Sequence, residues 1–213
     1  MICGVDEAGK GSVLGPMVVA AVGARSADIV ADLGVRDSKQ LSPEERERLF
    51  GLIKKKCRIA VVVISAEEID AIRREMTMNS CVARAHAEVI SRLCPETAVV
   101  DACDVNPFRY AEMVRGHLAN PCEIISEHHA DSTYPVVSAA SIIAKVTRDR
   151  EVARLAKKYG KIGSGYPSDP ETIAFLSTYI DDHNNPPPIA RKSWKTVSAM
   201  LAKKTQSRLS AFF

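Results

Sequence analysis

Apolar residues fill positions 2–5 and then give way to two adjacent carboxylates, Asp6 and Glu7. That short run predicts a strand over residues 2–6. A second run rich in Val and Ala, Met17–Ala24, lies close enough to return antiparallel to it. The continuous β-branched run Arg58–Ile64 predicts a buried strand, and Thr97–Asp101 and residues 122–126 supply a fourth and a fifth. Between these runs the apolar spacing turns helical. Ser42 with Pro43 and Glu45 makes a helix start with an N-cap, a first-turn proline and a capping-box acid. That helix turns Leu49, Phe50 and Ile53 inward and ends at Lys54, Lys55 and Lys56, where cations favour the negative end of its dipole. Ser65 and Glu68 repeat the capping box and open a helix to about residue 75. Further helices are predicted over residues 79–93, from Pro107 to about residue 117, over Pro135–Tyr159 with Gly160 as its stop, and near 169–180. Residues 184–188 then set off a short basic segment compatible with a helix. Three early strands followed by alternating strands and helices predict an α/β fold. Its mixed five-stranded sheet starts antiparallel, continues parallel and carries helices on both faces.

Composition narrows the class. The 213 residues are 46% hydrophobic, ample for a core, and the apolar stretch 13–24 is interrupted by Gly15, Pro16 and Gly23. It falls short of the ~20 residues a membrane span needs, and no basic region precedes it as in a signal peptide. We therefore expect a protein without membrane association that resides in the cytoplasm. Its six cysteines form no C-x-x-C pair, which argues against structural zinc and for reduced, mostly buried thiols. The net charge of +3 is unevenly placed. From His183 onward there are six Lys or Arg and no acid, so the preceding residues hold the other 23 of 29 basic side chains and all 26 acidic ones. A weakly acidic body with a basic tail suits a protein that gathers carboxylates at one place and meets a polyanion at another; a solvated tail has the same composition.

Neighbouring residues of a regular strand point to opposite faces. Asp6 and Glu7 can therefore share a site only if the strand ends or twists there, and Gly9 and Gly11 permit such a break. The stretch fits half of a divalent-metal site, and it also fits a charged hairpin tip. Under the predicted topology Asp101 and Asp131 join this pair at the carboxyl ends of strands, the edge where open α/β sheets bind ligands. Asp101 closes an apolar strand, where a carboxylate gains little structurally, whereas Asp131 in the 127–131 loop also reads as an ordinary turn residue. Carboxylates alone favour hard ions, Mg²⁺ or Mn²⁺, over zinc. Two such ions can hold the attacking and departing oxygens of a phosphodiester in line. His128 and His129 fit ligands or surface bystanders, and Lys145, Arg148 and Arg150 on the long helix fit phosphate contacts or a solvated face.

Several motifs in order carry a resemblance: Asp6-Glu7-Ala8-Gly9-Lys10-Gly11 with Leu14-Gly15-Pro16; Asp37-Ser38-Lys39 with Leu41; Asp101 at its strand end; and Ala130-Asp131 leading to Tyr134-Pro135-Val136-Val137-Ser138-Ala139-Ala140-Ser141-Ile142. Ala144-Lys145-Val146 with Arg148-Asp149 and Gly163-Ser164-Gly165-Tyr166-Pro167-Ser168-Asp169 complete the set. Together they resemble type 2 ribonuclease H, in its archaeal ribonuclease HII form, over nearly the whole chain. The chain opens directly on the catalytic strand, so the extra N-terminal domain of ribonuclease HIII is not expected.

The resemblance implies a ribonuclease H-like catalytic core over residues 1–168, a basic helical substrate-binding extension over 169–205 and a peptide over 206–213. It assigns Asp6, Glu7, Asp101 and Asp131 to catalysis and to two Mg²⁺ or Mn²⁺ ions. It gives Gly9, Lys10 and Gly11 the reading of the ribonucleotide 2′-hydroxyl, the group that separates RNA from DNA. Tyr166 then packs on the neighbouring sugar, while Lys39 and Lys145 meet phosphates. Lys10 stands where many relatives have Arg, and His129 where relatives often carry Lys. In the tail, Gln206, Leu209, Phe212 and Phe213 match a peptide that docks on a sliding clamp of the proliferating cell nuclear antigen type; short apolar anchors of this kind plug a hydrophobic pocket. The same two phenylalanines could instead fold back on the protein's own helices. The expected activity is a metal-dependent endoribonuclease, a monomer, that cuts the RNA strand of RNA–DNA hybrids. It would also nick duplex DNA 5′ of an embedded ribonucleotide, leaving 3′-hydroxyl and 5′-phosphate ends. A nuclease of the same fold acting on DNA, or a non-catalytic nucleic-acid or clamp adaptor, are the other readings.

Overall fold

A computed structural model describes residues 1–35, 38 and 41–210, with the backbone alone for 207–210. The Lys39 expectation lies outside the described residues, as do Phe212 and Phe213, and the Leu209 side chain is not described. Two compact units interleave along the chain. The first comprises Met1–Lys10, Val18–Val63 and Met76–Arg148; the second comprises Gly11–Met17, Ile64–Glu75 and the chain from Asp149 onward.

The first unit is built on a five-stranded sheet. Its strands are β1 (Ile2–Ala8), β2 (Met17–Ala24), β3 (Arg58–Ile64), β4 (Thr97–Asp101) and β5 (Glu123–Glu127), in the spatial order β3-β2-β1-β4-β5. β1 pairs antiparallel with β2, while β1 with β4 and β4 with β5 run parallel. This is the mixed sheet that the early antiparallel return and the later helical crossovers predict. One boundary differs in a way that matters: β1 runs on to Ala8, paired with Val18, and turns only at Gly9, whose φ of 84° is in the left-handed region. The strand therefore continues through both carboxylates.

The Ser42 cap forms as the sequence predicts, while Thr77 and Asn106 are caps that sequence reasoning does not single out. Pro43–Lys56 (α2, after the short Asp28–Ala31, α1) is capped by the Ser42 side chain, which accepts from Glu45 N at 3.2 Å. Thr77 caps Met78–Leu93 (α4, after Ala66–Ile72, α3), which stops at Cys94 in a left-handed conformation. Asn106 caps Pro107–Arg115 (α5), and Pro135–Tyr159 (α7) follows the single turn Ala130–Thr133 (α6). That single turn falls where the sequence predicts only a loop. The first half of α7 is buried nearly all round, as a helix sunk in a core must be. Val136, Val137, Ala140, Ile143 and Ala144 join Ala8, the β2 residues Val18, Ala20, Val22 and Ala24, and Leu49 and Ile53 of α2 in one apolar cluster.

Gly4 permits that approach. A Cβ built there would stand 2.2 Å from the Val136 carbonyl carbon and 2.3 Å from the Val137 nitrogen, both backbone atoms that have no rotamer to yield. Gly4 pairs with Val22 and Asp6 with Ala20, so Gly4, Asp6 and Ala8 share the α7 face of β1. Cys3, Val5 and Glu7 take the other face. Cys3 and Cys81 are the fully buried cysteines, while Cys94 is exposed, so the expectation of mostly buried thiols holds for only part of the set.

In the second unit, Val13, Leu14, Ile162, Leu176, Ile189, Ala190 and Val197 form a separate cluster. It includes the helices Pro170–His183 (α8) and Lys195–Ser210 (α9). Arg191 is fully buried, its guanidinium donating to Gly15 O at 3.2 Å and lying 4.9 Å from the Trp194 ring centroid. Among the described residues no helix is long and apolar enough to cross a membrane.

Replacing Gly4 by Ala should lower the stability of the protein by about 1–3 kcal/mol, the usual cost of overpacking a rigid core. Urea denaturation checks it: the midpoint falls at constant slope, whereas an unchanged midpoint would mean that α7 does not press on β1 at this residue.

Candidate active site

The parallel register of β1 and β4 sets the first carboxylate pair. Val5 lies opposite Val100, so the next residues, Asp6 and Asp101, come side by side at the carboxyl edge of the sheet. Asp6 is 7% exposed, and its Oδ1 accepts from the Glu7 amide at 2.7 Å. Burial pushes its carboxyl well above the ordinary carboxylate range. The charges of Glu7 and Asp101 push it further, against the opposing hydrogen bonds of Ser141 on α7 and the Glu7 amide. Side-chain alternation sends Glu7 to the opposite face, where its Oε2 lies 3.1 Å from Nε2 of His86 on α4. Asp6 and Glu7 thus reach the strand end from two faces of one strand, without the early break that the sequence leads one to expect.

Asp101 Oδ1 accepts from Ala130 N at 3.0 Å, which fastens the start of α6 to the end of β4. Asp131, the next residue, is buried in that turn, and its backbone carbonyl accepts the Ser138 hydroxyl from α7. The backbone thus sets Asp6, Glu7 and Asp101 near enough for the latter two to raise the Asp6 carboxyl by repulsion, and Asp131 follows Ala130, whose amide is bonded to Asp101. Among the described residues no three Asp, Glu, His or Cys side chains close into a ready cage for an ion. The donor set still fits a hard divalent cation: it is all carboxylate oxygen, and a buried carboxyl pressed by two like charges gains most from a positive charge.

Lys10 follows Gly9 at the tip, and its Nζ donates to Cys103 O at 2.9 Å. Its ammonium braces the turn to the loop after β4. Lys145 is half-buried on α7. His129 carries a φ of 57° at the entry to α6 and makes no side-chain cap there.

The second unit holds Gly11 and Tyr166. The Asp169 carboxylate accepts from Ser164 N at 2.6 Å and Glu171 N at 2.9 Å, and these bonds hold it down at about 2. Thr172 Oγ1, fully buried, donates to Ile162 O at 3.0 Å and accepts from Gly165 N at 2.9 Å. Gly165 O in turn accepts from Val13 N at 2.8 Å and Leu14 N at 3.1 Å. Gly163, with a φ of 64°, has no room for a Cβ, which would fall 2.6 Å from Asp169 Oδ2. Half-buried Tyr166 is thus presented by a loop knotted on both sides.

Two residues at the site escape sequence reasoning, His86 and Tyr110. The ring nitrogens of fully buried His86 meet Glu7 on one side and the Tyr110 hydroxyl of α5, at 3.1 Å, on the other. Neither belongs to a motif, and the only signal in the sequence was a histidine among the apolar positions of a helix.

A ribonuclease H-like sheet with acidic residues at its carboxyl edge defines a nuclease class. The family model described as ribonuclease HII matches residues 3–197. Ribonuclease HII of Methanoregula boonei is 78% identical over 213 residues, covering 100% of both chains. The ribonuclease HII in a structure described as the PCNA:RNase HII complex from Archaeoglobus fulgidus superposes with a TM-score of 0.87 at 44% identity, covering 94% of this chain and 96% of that one. Ribonuclease H2 from Pyrococcus horikoshii gives 0.88 at 40% identity, with 95% and 97% covered. The chain belongs to the ribonuclease HII family and is an endoribonuclease with ribonuclease H activity, of a family that generally depends on divalent metal.

Asp6→Asn should stabilise the metal-free protein at pH 7. A carboxyl raised in the fold keeps its proton where the unfolded chain has lost it, so wild-type stability falls as pH rises above the ordinary value of 3.8. Each tenfold change in proton affinity is worth about 1.4 kcal/mol. Thermal melts of the two proteins should therefore separate towards neutral pH and converge below about pH 4; parallel curves would refute the repulsion.

Proposed function

We propose that this ribonuclease is a divalent-metal-dependent enzyme that cuts the RNA strand of RNA–DNA hybrids and nicks duplex DNA on the 5′ side of an embedded ribonucleotide. The products carry 3′-hydroxyl and 5′-phosphate ends. The observation that carries this reading is the buried Asp6 carboxyl pressed by Glu7 and Asp101 at the ends of paired parallel strands. Asp6, Glu7, Asp101 and Asp131 are the residues that hold Mg²⁺ or Mn²⁺. When bound, such an ion neutralises the carboxylates, lowers the pKa of an attacking water and stabilises the oxygen that departs.

The protein's own residues do the rest. β1 and β4 hold Asp6 and Asp101 in fixed register, and the Ala130 amide fixes the rotation of Asp101. Gly9, with its left-handed φ, and Gly11 let the chain approach a sugar closely, while Lys10 holds the tip against the Cys103 carbonyl. On this reading backbone groups of residues 9–11 recognise the 2′-hydroxyl, and Tyr166 stacks against the sugar beside it. Lys145 contacts phosphate, and the basic residues between 169 and 205 extend the same contact along the duplex.

Residues 206–213 bind a sliding clamp. The complex with PCNA described for the Archaeoglobus fulgidus relative supports this, as does the pattern Gln206, Leu209, Phe212 and Phe213. Gln206 is exposed on the last turns of α9. On this reading the protein works on nucleic acid in the cytoplasm.

Incubation with Mg²⁺ or Mn²⁺ of a duplex carrying one ribonucleotide, beside its all-DNA twin, tests the substrate. Only the first should be cut, at its 5′ side; cutting of both or of neither refutes the reading. Asp131→Asn should lose more than the roughly 10–100-fold typical of residues that merely orient a metal ligand, while melting like wild type. Removing residues 206–213 should leave cleavage of short duplexes intact and abolish retention on an immobilised archaeal clamp. Retention that survives the deletion would place the clamp contact elsewhere.

A further inference from the structure

Two polar side chains lie where an apolar core would serve packing better. His86 on α4 sits among the buried residues Ala83, Ala85, Ala87 and Ile90, and Tyr110 on α5 is likewise fully buried. Burying an imidazole and a phenol costs free energy unless every polar atom finds a partner. Here each does. Glu7 Oε2 is 3.1 Å from His86 Nε2, and the Tyr110 hydroxyl is 3.1 Å from His86 Nδ1. The rings meet edge to face at 84° with centroids 5.7 Å apart, which adds a packing constraint to the two hydrogen bonds.

The direction of the bond to Glu7 follows from what each group can do. An ionised carboxylate only accepts, so Nε2 carries the proton and donates to Glu7. The Tyr110 hydroxyl meets the other ring nitrogen, Nδ1, and also interacts with Cys103. Burial pushes the Tyr110 phenol well above its ordinary value, so it keeps its proton. The result is a hydrogen-bonded chain, Tyr110–His86–Glu7, that holds the imidazole in one orientation.

The outer end of the chain is also anchored. Asp104 accepts from Asn79 Nδ2 at 3.1 Å and from Asn106 N at 3.0 Å, and pairs with Arg109. These contacts tie α4 to the loop that leads into α5, the two helices that carry His86 and Tyr110. Nothing comparable is needed to fill the core, since Leu and Phe would bury more apolar surface at no polar cost. What distinguishes the pair is its terminus, a carboxylate on the edge of the catalytic strand.

We propose that His86 and Tyr110 are positioning residues that fix the rotamer of Glu7 and so present its carboxylate for a divalent cation. The inference rests on the reading of Glu7 as a metal ligand. Asp6 reaches the site from the opposite face of β1 and has Ser141 and the Glu7 amide to orient it; Glu7 has His86. A carboxylate so held meets the ion at little further loss of side-chain freedom, the role that hydrogen-bonded partners of metal ligands commonly play.

The test reads metal binding on the full-length protein with no nucleic acid present. Mn²⁺ is titrated into the metal-free wild type and into Tyr110→Phe, His86→Leu, His86→Gln and Glu7→Gln, with free Mn²⁺ followed by electron paramagnetic resonance and folding by thermal melts. Tyr110→Phe, which removes one oxygen and leaves the packing in place, should weaken Mn²⁺ binding about 3–10-fold, and His86→Leu about 10–100-fold. His86→Gln, whose amide can still donate to Glu7, should fall between His86→Leu and wild type. In turnover the kcat lost by Tyr110→Phe should return at saturating Mn²⁺ with KM for the duplex unchanged.

Wild-type Mn²⁺ affinity in both Tyr110→Phe and His86→Leu, with binding lost in Glu7→Gln, would overturn the positioning role and leave the carboxylate reading standing. A wild type that takes up no Mn²⁺ would overturn the reading of the site, and the positioning role with it. If His86→Leu fails to fold, Tyr110→Phe decides alone.

Discussion

The parallel pairing of β1 with β4 is the constraint on which the site depends. Backbone hydrogen bonds set Val5 opposite Val100, and that register leaves no choice about where Asp6 and Asp101 fall. A slip of one residue would send every side chain of β1 to the other face. Asp6 would then enter the face of Cys3 and Val5, and Gly4 would no longer stand under α7. The close approach at Gly4 makes such a slip costly, because only a residue without a Cβ fits against the Val136 and Val137 backbone. The same contact that packs the core therefore protects the geometry of the carboxylates.

Those carboxylates oppose the fold that holds them. Asp6 is buried beside two like charges, and no packing argument favours it there. Such strongly perturbed carboxyls gather at functional sites more often than at structural ones. Ser141 and the Glu7 amide lower the Asp6 carboxyl against that repulsion, and the Ala130 amide fixes the direction of Asp101.

Features that depend on near neighbours in sequence were legible. The Ser42 cap, the Ser65 and Glu68 box, the whole span of α7 and all five strands follow from local chemistry, with strand boundaries off by a residue or two and the helix after Ser65 ending at Ile72, three residues early. Asp101 was legible as a carboxylate ending an apolar strand. The limit appears where distant segments decide. β1 continues past Asp6 because β2 pairs with it as far as Ala8, and nothing within residues 2–11 announces that. The turn at Asp131 forms because Asp101, thirty positions earlier, caps it through Ala130. His86 is silent for the same reason: its partners Glu7 and Tyr110 lie 79 and 24 residues away, so its meaning exists only in the folded chain.

The knotted loop before α8 has a consequence of its own. Asp169, Thr172 and the left-handed glycines fix residues 163–166 through bonds that exist before any ligand arrives. The conformational entropy of that segment is lost when the protein folds, not when something docks against Tyr166. A flexible loop of the same composition would have to order itself at each encounter and would bind more weakly for it. On the proposed reading of Tyr166 as a sugar-facing ring, the fixed loop makes recognition a matter of fit and not of adaptation.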